Sequence, residues 1–266
     1  MFGWRKDLPD FRDYTAESLT RKKGLEKAGV INHSPVSSVD LRRWCTPVVN
    51  QGTLGSCTAH AGCAMYEFFE KKVHGRSIPK SRLFLYKTTR NLLKESGDTG
   101  AFLRTTMQAM ALFGICPEKY WPYNASQYDQ EPSSFCYNYA QNYQALTYFR
   151  LDTPGLAKDR LLKRIKEYLS REYVIQFGFT VYDVINEMDG DVIPFPGVSN
   201  QMMGGHAVLA VGYDDSRKAL LIKNSWGPQW ANRGYGWLPY EYVLRGLAED
   251  FWTMTAAEWL DTGIFK

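Results

Sequence analysis

NQGTLGSCTAHA, residues 50–61, sets a single cysteine between a small, turn-forming stretch and a run that reads as the start of a helix. From Cys57 onward, CTAHAGCAMYEFFEKKVHG carries small or apolar residues at Cys57, Ala61, Ala64, Met65 and Phe68, the spacing of one helical face, and Gly75 is placed to end it. Four roles are open to Cys57: core thiol, half of a disulfide, metal ligand or nucleophile. An isolated cysteine is commonly a buried, inert one. Cys57, His60 and Cys63 share one segment, but residues six apart on a helix lie about 120° apart around its axis, so the two thiols diverge. The ligand spacing of zinc sites is also missing. A nucleophile must attack as thiolate, and the positive end of a helix is one of the places where a thiol loses its proton more easily. Cys57 stands at such an end.

A nucleophile needs a base, and the chain has four histidines: His33, His60, His74 and His206. His33 lies in a polar N-terminal stretch. His74 falls at a helix end, where its charge suits the C-terminal dipole. His60 is one turn from Cys57 and reads as a neighbour packed under it. His206, in MMGGHAVLAVGY, opens a predicted strand after two glycines, which permit close approach of another backbone. KNSWG follows on the next strand of a predicted hairpin, and antiparallel pairing can bring Asn224 beside His206.

Helices are predicted over 102–114, ended by Gly114, and over 153–170, capped by Thr153 with Pro154 in the first turn and an apolar stripe of Leu162, Ile165 and Leu169. YVIQFGFTV, GHAVLAVGY, ALLIKNSW and YGWLPYEYV read as strands. Helices early and strands late point to an α+β fold with segregated parts. With 266 residues, 17 Tyr, 14 Phe and 8 Trp, the chain can bury a sizeable core. The net charge of +4 is spread over both ends, so no nucleic-acid footprint stands out. No apolar run approaches the length of a membrane span, and MFGWRKDLPDFRDY lacks the apolar segment of a signal peptide, so export by that route is not expected unless a signal lies outside this sequence. Five cysteines (Cys45, Cys57, Cys63, Cys116, Cys136) leave at least one thiol unpaired; with Cys57 free, the others allow three pairings.

QGTLGSCT, GGHAVLAVGY and IKNSWGPQWANRGYGW, in that order, resemble the papain family of cysteine proteases. SSVDLRRWCTPVVNQG is similar to the start of a mature domain of that family, and the likeness runs from about Val36 to the end. GWRKDLPDFRDY and GICPEKYWPY are closer to its bacterial branch. The resemblance implies a two-lobed α+β fold, with a helical lobe mainly within 50–150, a β-barrel-like lobe mainly within 171–266 and the active-site cleft between them. It implies a cysteine endopeptidase acting on polypeptides, with no cofactor and no metal, as a monomer needing neither nucleic acid nor membrane. Cys57 would form a thioester, His206 would serve as base and then acid, and Asn224 would orient His206. Gln51 would share the oxyanion with the Cys57 N–H, and Trp226 would shield the His206–Asn224 bond. Gly97, Asp98 and Gly100 of SGDTGAF, with Gly205, Ala207 and Trp226, would border the substrate.

Three departures bear on this. Leu54 and Thr58 replace a cysteine and a tryptophan usual in the family, and no long pro-region precedes the domain. Residues 1–35 form a short extension to the domain at 36–266, with Trp4, Leu8, Phe11 and Tyr14 as apolar anchors. It either lies over the groove and restrains the enzyme, as in a zymogen, or packs elsewhere as a strap. An acyltransferase or transglutaminase-like reaction on the same thioester is the alternative activity. Asn124 heads a glycosylation sequon that reads as a chance match.

Overall fold

In the computed structural model, which describes residues 2–15, 17–18, 36–145, 147–257 and 260–261, helix α1 (Cys57–His74) begins at Cys57 and ends at Gly75, whose φ of 72° is the left-handed turn a helix terminus favours. Most of the predicted extension, His33 included, lies outside the described residues. Helix α1 does not present one apolar face: every residue from Cys57 to Glu70 is buried, Glu67 and Glu70 included. Those carboxylates are paired inside the protein, Glu67 with Arg82 (2.6 and 2.7 Å) and Glu70 with Lys80 (2.8 Å). Buried charge is tolerated when it is matched in this way.

Two further helices, α2 (Arg82–Leu93) and α3 (Leu103–Leu112), pack against α1. At Gly62 an added Cβ would come within 3.1–3.2 Å of Met110, Leu85 and Thr106, so glycine lets the three helices close up. Helix α3 matches the prediction and stops before Gly114, which is left-handed at φ 76°. Helix α2 escaped the periodicity analysis because its buried set mixes Leu83, Phe84 and Leu85 with Arg82, Thr88, Thr89 and Arg90. A short helix, α4 (Ser134–Ala140), brings Cys136 beside Cys116, Phe84 and Ala140 in a small separate core. All five cysteines are buried free thiols, so none of the three pairings is present.

The second lobe is an eight-stranded antiparallel sheet. Its order is β10 (Leu260–Asp261), β9 (Ala248–Ala257), β5 (Ile175–Tyr182), β6 (Met202–Asp214), β7 (Ala219–Lys223) and β8 (Tyr235–Pro239), with β2 (Ser38–Asp40) on β6 and β4 (Thr147–Arg150) on β9. β4 thus carries the sheet into the range read as helical lobe, and β2 adds the start of the peptidase domain to it. After β8 the predicted strand turns into a short helix, α6 (Tyr240–Leu244). Helix α5 (Lys158–Ser170) starts later than predicted, with Ala157 rather than Thr153 at its N-cap. Gly155, left-handed at φ 79°, turns the chain before the helix begins. Its buried face is Leu161, Ile165 and Leu169, with Leu162 only half-buried. One apolar core joins both lobes through α1, β5 and β6. Among the described residues, no helix is long and apolar enough to cross a membrane.

Ser81 ties α2 to the segment that follows α3: its hydroxyl accepts from the Phe84 N–H (3.0 Å) and donates to the Trp121 carbonyl (2.5 Å). Ser81→Ala removes a helix cap, a loss of about 1 kcal/mol, and is expected to lower the melting temperature by roughly 2–4 °C in differential scanning calorimetry.

Candidate active site

The first turn of α1 meets the middle of β6. Cys57 is fully buried, and backbone groups of Ala207, the residue after His206, and of Gly3 lie near enough to favour its thiolate against the larger effect of burial. Antiparallel β5 and β6 put His206 opposite Phe179, and the imidazole Nε2 donates to the Asn224 side-chain oxygen at 2.7 Å. That oxygen can only accept, so the proton sits on Nε2 and the neutral ring keeps its lone pair on Nδ1. Asn224 comes immediately after β7 and is held by its N–H on the Gly234 carbonyl (3.0 Å). Trp226 stacks on His206 with ring centroids 4.5 Å apart and planes 25° apart, which covers the His206–Asn224 bond.

Gln51 is also fully buried. Its N–H donates to the Ser225 carbonyl (2.8 Å), its side-chain oxygen accepts from the Ser225 hydroxyl (2.6 Å), and its side-chain NH2 donates to the Leu54 carbonyl (2.8 Å). Ser225 is therefore a site residue that sequence inspection passed over, although it lies between Asn224 and Trp226. His60 sits below the thiol as expected: its Nδ1 donates to the Ser56 carbonyl at 3.0 Å, and burial pushes its pKa down to about 3.

The candidate substrate residues separate into two groups. Gly100, Gly205, Ala207 and Trp226 line the groove. A Cβ at Gly100 would overlap the Gly3 carbonyl, and one at Gly205 the Trp4 carbonyl. Asp98 acts as a brace, accepting from the Gly55 N–H (2.9 Å) and from the Tyr86 hydroxyl (2.5 Å). Gly97 is tied to Asp129, its N–H donating at 2.8 Å, and the space a Cβ there would take is open.

The groove is filled by the chain's own N-terminus. β1 (Trp4–Arg5) pairs in parallel with β3 (Ala101–Phe102), and the Ala101 N–H donates to the Gly3 carbonyl at 2.8 Å. Phe2 packs edge-on against Trp226, Gly3 threads between Gly55 and Gly100, and Trp4 lies on Gly178 and Gly205. Of the four expected anchors only Trp4 is buried; Leu8, Phe11 and Tyr14 are 75%, 98% and 44% exposed. Carboxylates replace them. Trp4 Nε1 (3.0 Å), the Asp7 N–H (2.8 Å) and Arg150 (2.6 Å) all donate to Asp250. Asp7 accepts from Trp252 Nε1 (3.1 Å) and the Arg104 N–H, and Asp13 makes a two-pronged bond with Arg104 (2.6 Å each). Asp152 completes the cluster on Arg150.

Burial sets the proton states. With the N-terminus in place, burial pushes the Cys57 thiol up, and it pushes His206 down to about 4 against the opposing pull of the Asn224 bond. Both shifts favour the neutral thiol and the neutral imidazole while the N-terminus is in place. No group of three or more metal-ligating side chains occurs among the described residues.

Residues 35–249 match the family described as papain family cysteine protease. The chain is 35% identical over 265 residues to an uncharacterised peptidase C1-like protein of Acanthamoeba polyphaga mimivirus, covering 94% of this chain and 85% of that one. It is 30% identical to chymopapain of Carica papaya over 71% of this chain and 50% of that protein. The crystal structure of xylellain, a cysteine protease from Xylella fastidiosa, superposes with a TM-score of 0.80 at 33% identity over 95% of both chains. This chain belongs to the papain family of cysteine proteases, with that family's two-lobed α+β fold. It is a cysteine endopeptidase, a hydrolase acting on polypeptides.

The carboxylate cluster gives the docked N-terminus a pH dependence. Four carboxyls (Asp7, Asp13, Asp152, Asp250) face two guanidiniums (Arg104, Arg150), and the flanking Lys6 pairs with Glu249 and Arg5 with Glu95. Burial raises Asp7 to about 6 and Asp250 to about 7. Undocked, both carboxyls return towards the ordinary value of about 3.9, so docking takes up protons. Its contribution is complete below that value and is lost as pH rises through 6 and 7. Hydrogen exchange at the amides of residues 4–7, corrected for intrinsic rates, is expected to lose protection between pH 5 and pH 8, and Asp7→Asn to flatten the trend.

Proposed function

We propose that Cys57 is the nucleophile of this endopeptidase, His206 its base and acid, Asn224 the residue that orients His206, and Gln51 with the Cys57 N–H the oxyanion donors. The observation that carries this assignment is the His206–Asn224 bond at 2.7 Å, which leaves Nδ1 of a buried imidazole unprotonated beside the strand that touches the thiol. Nδ1 takes the thiol proton, and the sulfur attacks the peptide carbonyl carbon. The C–N bond breaks as the imidazolium protonates the departing amine, leaving a thioester that water, deprotonated by the same imidazole, hydrolyses. Gly100, Gly205, Ala207 and Trp226 border the peptide, while Asp98 and Gly97 shape the loop that carries Gly100. The relatives do not favour acyl transfer to an amine.

The same proposal takes residues 1–35 as an extension that keeps the peptidase domain, 36–266, in a zymogen-like state. Gly3 at the thiol supports this, as does burial, which raises Cys57 and lowers His206. Departure of the segment admits water and restores the conditions for a thiolate. The enzyme works as a monomer on polypeptides, without nucleic acid or membrane. The likeness to xylellain, from Xylella fastidiosa, supports a place in the bacterial branch, while the mimivirus relative is viral.

Incubation with the thiol-reactive epoxide E-64, with mass-spectrometric mapping, tests both parts. Labelling is expected at Cys57 alone and is expected to fall sharply in His206→Ala; labelling spread over other cysteines would defeat the assignment. A Cβ at Gly3 would lie 1.9 Å from the Gly55 carbonyl oxygen. Forced overlap costs roughly 1–3 kcal/mol, so Gly3→Ala is expected to speed Cys57 labelling about 5- to 150-fold. An unchanged rate would show that the segment does not gate the thiol.

A further inference from the structure

Tyr123 ends the stretch GICPEKYWPY and has no part in the Cys57–His206–Asn224 arrangement. Its hydroxyl nevertheless reaches both ends of the loop that leads into α1. It donates to the Gln51 carbonyl at 2.8 Å and is 2.7 Å from the Ser56 hydroxyl, which must then be the donor to it. The loop between these points, residues 51–56, has no helix or strand hydrogen bonding of its own, yet it carries Gln51 at one end and delivers Cys57 at the other. Gln51 donates a side-chain N–H to the Leu54 carbonyl, and its side-chain amide is the oxyanion donor assigned above. The separation of that amide from the Cys57 N–H depends on how the loop is closed.

Tyr123 is itself fixed. Its N–H donates to Glu118 at 2.7 Å, and its ring stands edge-on to His60 with centroids 5.1 Å apart. Burial raises its phenol to about 12, so it stays a neutral donor at any pH at which the enzyme is folded.

We propose that Tyr123 is a positioning residue for catalysis: its single hydroxyl clamps Gln51 to Ser56 and so holds the two oxyanion donors at the spacing the tetrahedral intermediate requires. This rests on the assignment of Gln51 and the Cys57 N–H given above. Oxyanion donors act on transition-state charge, so a loosened clamp costs turnover rather than binding. The roles of Tyr123 and of the nucleophile separate chemically. Iodoacetamide alkylates a thiolate at a saturated carbon: the C–S bond forms as the C–I bond breaks, iodide leaves, and no oxyanion arises.

The test compares full-length Gly3→Ala enzyme, in which the groove is opened, with the same chain carrying Tyr123→Phe. Loss of one clamping hydroxyl is expected to lower kcat on a fluorogenic peptide amide about five- to tenfold, with KM within about twofold. The rate of Cys57 alkylation is expected to be unchanged. Unaltered kcat in Tyr123→Phe would overturn the proposal. So would a parallel fall in kcat and alkylation, which would mark Tyr123 as a support for the whole site. A parent that is alkylated at Cys57 but hydrolyses no peptide would remove the peptidase assignment and the clamp's role with it, and is told apart from the other outcomes by the parent's own activity.

Discussion

A helix with no face to solvent must find a protein partner for its polar groups, and α1 is such a helix from Cys57 to Glu70. Its carboxylates draw in Arg82 and Lys80, which fixes where α2 begins, and α2 in turn supplies Tyr86 to hold Asp98. Asp98 then holds the Gly55 N–H, two residues before the thiol. The buried charges of the helical lobe and the geometry at Cys57 are therefore one connected structure. Removal of one member of a buried pair is costly because the other charge stays behind unmatched.

The same logic of burial explains how the N-terminal segment acts on the site. Gly3 lies at the thiol, and burial there lifts Cys57 and lowers His206, which is the physical ground of the restraint proposed above. The segment stays in place mainly through Trp4 and carboxylates, with little apolar area from Leu8 or Phe11. Its hold depends on protons shared within an acid-rich cluster, a kind of adhesion that an apolar plug would not have.

Much of this was legible in the sequence. Cys57 before a helix, Gly75 and Gly114 as stops, and the order of the Gln51, Cys57, His206 and Asn224 motifs led to the fold and to the candidate site, because turn chemistry and motif order are local signals. What escaped depended on pairing across the chain. The Arg82 and Arg90 side chains are buried in α2 by partners far away, so periodicity hid that helix. Thr153 looked like a cap because Gly155 carries no mark of the left-handed turn it makes here. Leu8 and Phe11 looked like anchors on hydropathy alone, whereas Asp7 and Asp13 anchor through Arg104 and Arg150, residues identifiable only once the segment is seen in the groove. Ser225 and Tyr123 act on Gln51 by single hydroxyls, which leave no periodic trace.

Gly3, pressed between Gly55 and Gly100, has a kinetic meaning. A substrate backbone that uses the same glycine-walled passage cannot share it with a tether belonging to the same molecule. An intramolecular competitor acts at an effective concentration of about millimolar whatever the dilution of the enzyme. The apparent affinity for peptide is then reduced by the fraction of molecules whose passage is clear, while the turnover of a peptide already bound is unaffected. Under the gating proposed above, such an enzyme would be nearly silent towards scarce substrate and would respond once peptide is plentiful.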